Sequence, residues 1–148
     1  MNHLIIEAVA MLLSSAAFGI IFNIRGKHLV LSVIGGILSW AVYTFTAGLF
    51  SNDIPQYILA AAAISLYCEI LARITKTPVP VYLVVGIIPL VPGALIFRTM
   101  LAFINADAES FIKQIMYTLT IAGGIALGVF SVSSVFRLFT EEIRRRRR

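Results

Sequence analysis

Long apolar runs separated by short polar breaks set the pattern of this chain. A membrane-spanning helix needs about 20 apolar residues at a rise of 1.5 Å per residue. Five runs qualify: 4–22, 29–50, 54–72, 81–102 and 111–139. The breaks are Asn23-Ile-Arg-Gly-Lys-His28, Ser51-Asn-Asp-Ile-Pro-Gln56, Arg73-Ile-Thr-Lys-Thr-Pro78-Val-Pro80 and the polar segment from Asn105 to Ser110. Asn23 has the chemistry to end the first helix, and Pro55 suits a first helical turn. The fifth run is longer than a bilayer requires, which predicts tilt or a start in the interface. The pattern predicts an all-α polytopic membrane protein with five transmembrane helices, forming one transmembrane domain over 1–148 with a basic tail at 140–148.

The fourth run is interrupted. It reads Gly86-Ile-Ile-Pro89-Leu-Val-Pro92-Gly93-Ala-Leu-Ile-Phe-Arg98. Proline has no N–H and clashes with the carbonyl four residues back. Pro89 and Pro92 should therefore leave the carbonyls of Val85 and Ile88 without helical partners. Gly93 lets the backbone depart from helical geometry cheaply. In hydrocarbon such backbone must be buried in protein or face a water-filled cavity. Broken helices of this kind are where many secondary transporters bind substrate; a packing kink is the plainer alternative.

Composition narrows the class. Hydrophobic residues make up 59% and charged residues 13%, with mean hydropathy +0.95. Soluble domains carry roughly 25% charged residues, so a soluble globule is excluded. The net charge of +5 is all tail: Arg144 to Arg148 end the chain, and without them seven basic residues balance seven acidic ones. Cys68 is the single cysteine, which rules out an intrachain disulfide and a Cys-based metal site. Met1-Asn2-His3 lacks the positive charge of a signal peptide, so the first run reads as a retained helix.

Basic residues in short loops set orientation. Arg25 with Lys27, Arg73 with Lys76, and Arg137 with the arginine run fall on one side of a five-span chain. Asp53, Asp107 and Glu109 fall on the other, with Arg98 and Lys113 its only basic residues. This predicts the N-terminus outside and the C-terminus in the cytoplasm. Small residues mark close helix approach: Gly124 and Gly128 beside Gly123, Ser32 and Gly36 with Trp40, Gly35 with Ser39, and Ala60 to Ala63. Intramolecular packing or a subunit interface would each use them.

Charges inside a membrane need partners. Glu7 is either a proton or cation ligand or a headgroup contact. Glu69 and Arg73, four apart, suit an ion pair and are also candidates for ion coupling. Arg98 lies one and a half turns into the half-helix that starts near Gly93. Helix starts carry unpaired N–H groups and bind carboxylates, and a guanidinium adds two further hydrogen bonds. Snorkelling to headgroups is the alternative. Thr118, Thr120, Ser131, Ser133 and Ser134 would bond local carbonyls or hydrate a path. His3 and His28 are far apart, and no nucleophile triad, metal-ligand spacing or phosphate loop is present. The sequence therefore calls for no enzyme activity, cofactor or metal. Beside a membrane helix, the arginine tail is expected to hold anionic lipid rather than nucleic acid.

Phe18-Gly-Ile-Ile-Phe-Asn23 before a basic loop, Pro78, Ile88-Pro-Leu-Val-Pro-Gly93 and Phe97-Arg98-Thr-Met100 carry a resemblance. On these residues the chain resembles the threonine/serine exporter family, specifically its small five-span, ThrE-like component. The five consecutive arginines depart from that pattern. The resemblance implies export of threonine or serine across the bacterial inner membrane, with dicarboxylate export or a non-transporting assembly role as alternatives. It also implies a larger five-span partner subunit. Two odd-span halves joined end to end are oppositely oriented, as in inverted-repeat transporters. The positions it carries over are Pro89, Pro92, Gly93 and Arg98.

Overall fold

The computed structural model describes residues 2–50 and 52–146, with side chains described for 4–50 and 52–138. Those residues form six α-helices and one 3₁₀ turn, with no strand among them. The helices are α1 (Asn2–Ile21), α2 (Lys27–Thr46), α3 (Asp53–Thr75), α4 (Pro80–Ile87), α5 (Gly93–Ile104) and α6 (Ala108–Arg146), with the 3₁₀ turn at Ile88–Leu90. α1, α2, α3 and α6 are each long and apolar enough to cross a membrane. α4 and α5 together make a fifth candidate span, bent by 60° at its break.

Local chemistry sets the ends. Three helices finish on a residue in the left-handed region: Asn23 (φ 57°), Lys76 (φ 54°) and Ala106 (φ 54°). Each turn closes with a bond back across it, Ile24 N–H to Gly19 O at 3.0 Å, Thr77 N–H to Ala72 O at 3.0 Å, and Asp107 N–H to Ala102 O at 3.1 Å. This is the Schellman closure, which favours glycine or asparagine at the turning residue. Asn23 fits it; alanine in this conformation costs roughly 1 kcal/mol. Ala106→Gly should therefore raise the thermal midpoint in detergent, by up to about 1 kcal/mol of stability.

The second helix ends at Thr46, short of residue 50, ahead of a turn that contains Gly48; the Thr46 hydroxyl lies 2.8 Å from Val42 O and 3.0 Å from Tyr43 O. α6 starts early, at Ala108, because the Asp107 carboxylate accepts the Ser110 amide at 3.1 Å. The Ser110 hydroxyl and amide hold that carboxyl below the usual carboxylate range. The cap is therefore present at neutral pH and weakens as pH falls through the lowered value. At the other end, α6 runs without interruption into the basic segment, as far as Arg146. Arg147 and Arg148 lie outside the described residues.

α3 is the central helix. Its Ala60, Ala61, Ile64 and Cys68 are wholly buried, and Tyr82 and Leu90 from the broken run pack with them. α3 meets α6 along its length and also meets α2 and α4; α2 in turn meets α1 and α4. The small residues face these contacts. Gly35 sits against Ile64 and Tyr67, while Gly124 and Gly128 sit against Ile58, Ala61 and Ala62. The glycine motif of α6 thus packs within the chain. α5 leaves this cluster and packs on α6.

Candidate functional site

The break is stitched rather than open. Ile88 N–H bonds Val85 O, and Val91 N–H bonds Ile88 O at 3.1 Å. The expectation that these two carbonyls lose their partners is corrected: 3₁₀ winding moves each acceptor's donor one residue earlier. With that spacing, the carbonyl that needs a donor from residue 89 is Gly86 O, and Pro89 has none. The Ser39 hydroxyl of α2 fills this place, 2.8 Å from Gly86 O and also 2.8 Å from Gly36 O. Ser39 is fully buried. Removing a donor from a buried acceptor costs about 1–3 kcal/mol. Ser39→Ala should lower the thermal midpoint by an amount in that range.

Beyond Val91 the backbone turns sharply. Pro92 has φ −77° and ψ 59°, and Gly93 N–H bonds Val91 O at 2.7 Å. That is an inverse γ-turn. Pro92 is buried and caps α5, its carbonyl accepting from Leu95 N–H at 3.1 Å and Ile96 N–H at 3.0 Å. Amides of Gly93, Leu95 and Ile96 are thus already engaged, which corrects the picture of a wholly unpaired helix start. The γ-turn takes one amide and the cap carbonyl takes two.

The four carried-over positions divide by environment. Pro89 is half-buried against α2, where a Cβ on Gly36 would come within 3.7 Å of its ring. Gly93 is exposed, with open space where a Cβ would stand. Arg98 is exposed on α5. Leu95, Thr99 and Ala102 are the less exposed residues of that helix, and Thr99 Oγ1 lies 3.4 Å from Thr118 Oγ1 of α6. Between α5 and α6 are two apolar hollows of about 330 and 460 Å³, both lined by Phe103 and Phe111. Glu7 is half-buried on α1. Glu69 and Arg73 form an ion pair on α3, and the guanidinium lies 4.5 Å from the Phe136 ring centre on α6. Glu69 is buried, and the guanidinium's place over Phe136 ties α3 to α6.

Sequence reasoning missed a second polar cluster. His28 Nδ1 lies 2.6 Å from Tyr82 Oη, Tyr82 donates to Thr75 Oγ1 at 2.8 Å, and Thr75 donates to Leu71 O at 2.8 Å. Ser32 adds bonds to His28 O at 2.8 Å and Val81 O at 3.3 Å. Ser32 and Ser39, two turns apart on α2, both reach carbonyls of α4. That spacing was the available signal. No group of metal-binding side chains occurs among the described residues.

A family model described as threonine/serine exporter, ThrE, matches residues 7–135. The match spans the break, Arg98, and the Glu69–Arg73 pair, and stops before Arg137. No curated protein and no solved structure matches the chain significantly.

Proposed function

The chain belongs to the threonine/serine exporter family, and from that premise we propose that it is one half of a two-component bacterial exporter of threonine and serine. It is an exporter-type membrane protein; members of such families move solutes rather than transform them. The other half is a larger five-span subunit of opposite orientation. The assembly resides in the inner membrane, with the N-terminus of this chain outside and its arginine-rich end in the cytoplasm on anionic lipid.

The observation that carries this reading is the 60° break between α4 and α5. A span interrupted in this way stores irregular backbone at membrane depth, where transporters place their sites. In the proposed site, the turn at Pro89, Pro92 and Gly93 presents the start of α5, and Arg98 holds the substrate carboxylate with two hydrogen bonds. Because most of the helix-start amides are already engaged, Arg98 takes the larger share of that charge. Access alternates as this half rocks against its partner. Glu7 or the Glu69–Arg73 pair couples the cycle to an ion.

Efflux from proteoliposomes loaded with threonine, with this chain and its partner together and each alone, tests the reading. Efflux that requires both chains is expected. Full efflux through the larger subunit alone would make this chain a non-transporting component, and efflux of succinate in place of threonine would move the substrate class to dicarboxylates.

A further inference from the structure

We infer that His28 is a proton-binding site whose accepting nitrogen is Nε2 and whose state is felt by the half-helix α4 through Tyr82. Counting hydrogens along the bonds fixes the tautomer. The Thr75 hydroxyl spends its hydrogen on Leu71 O, so Thr75 Oγ1 can only accept from Tyr82. Tyr82 Oη thereby spends its own hydrogen, so it can only accept from His28. A neutral imidazole carries one N–H. The chain therefore places that hydrogen on Nδ1 and leaves the Nε2 lone pair free. Nε2 makes no hydrogen bond among the described residues, and the ring is half-buried at the start of α2.

Proton uptake from water at Nε2 gives the imidazolium without reversing any bond in the chain. It changes the Nδ1–H to Tyr82 bond from neutral to charge-assisted, which is roughly twice as strong. Tyr82 is wholly buried on α4, four residues before Gly86 and the break. Protonated His28 therefore holds α4 more firmly against α2, and proton release loosens the same half-helix.

Among the described residues, the titratable and charged groups near the ring are few. Tyr82 is the titratable residue in contact with it and the only one on α4. α1 contributes no charge at this end, its Glu7 lying near the opposite terminus. α3 ends nearby with Arg73, paired to Glu69, and with Lys76 at its cap. Lys27 adjoins His28 on α2, and the Arg25 guanidinium is turned to Asn23.

The effect of His28 on transport, through α4, rests on the exporter reading; the assignment of the proton does not. In the full chain labelled with ¹⁵N-histidine, at a pH where the imidazole is neutral, His28 should show a protonated Nδ1 and a bare Nε2. Tyr82→Phe should abolish that preference. A protonated Nε2 in the wild type overturns the proposal. In proteoliposomes with the partner, His28→Asn keeps a donor near the Nδ1 position but binds no proton. It should retain efflux while losing the pH dependence that the wild type shows. A wild-type pH profile in His28→Asn overturns the link from His28 through α4 to transport. Absence of efflux from the wild-type pair would count against the exporter reading instead, leaving the ¹⁵N result to decide on the proton site.

Discussion

Gly128→Ala should destabilise the chain by about 3 kcal/mol, at the upper end of what one added methyl costs a packed interior. A Cβ at this position would stand 2.5 Å from Ile58 O, 2.9 Å from the Ala61 Cβ and 3.1 Å from Ala62 N. Two of these three atoms are main chain, so no rotamer change relieves the overlap and α3 and α6 must part. Their contact is the most extensive between helices in the molecule. Gly123 is the control on the same helix, since nothing lies within 4 Å of a Cβ there. Gly123→Ala should leave the midpoint unchanged or raise it slightly, because alanine is the better helix former. Thermal unfolding of both variants in one detergent checks the prediction, and equal midpoints would contradict the packing described.

Arg98→Ala should cut threonine efflux by about 10- to 100-fold. A hydrogen bond to a charged group contributes about 1.5–3 kcal/mol, and each 1.4 kcal/mol is about tenfold. Arg98→Lys should recover only part of the loss, because lysine keeps the charge but not the two-pronged geometry. Arg98 is exposed, so neither change should disturb folding. Initial efflux rates and thermal midpoints measured on the same preparations separate the two effects. Wild-type efflux in Arg98→Ala would remove this residue from the site and return it to a headgroup role.

The break was legible because proline acts locally: Pro89 and Pro92 each remove an N–H donor and clash with the carbonyl four residues back, so the fourth run had to kink or break there. Where the displaced carbonyls find donors was not legible. That depends on the register of α2 against α4, which brings Ser39 to Gly86 O, and no local rule fixes such a register. The i, i+4 spacing announced the pairing of Glu69 with Arg73, whereas the Phe136 ring beneath the guanidinium comes from 63 positions further along the chain. The three-glycine cluster on α6 was visible as a packing signal. That Gly124 and Gly128 face α3 while Gly123 faces away follows from helical periodicity once the partner helix is known. The His28 cluster escaped notice because its three members come from α2, α3 and α4. Only the antiparallel stacking of those helices brings them to one end.

The central claim is that an amino acid rests at the broken fourth span, and Gly93 offers the most direct test. It is exposed with room for a side chain, and Cys68, the native cysteine, is buried. In a Cys68→Ala background, Gly93→Cys and Gly123→Cys can each be labelled with a small maleimide in the assembled exporter, with and without threonine. The account predicts that threonine slows labelling at position 93 and leaves position 123 unchanged. Equal labelling of Gly93→Cys in both conditions, from a complex that still exports threonine, would contradict it.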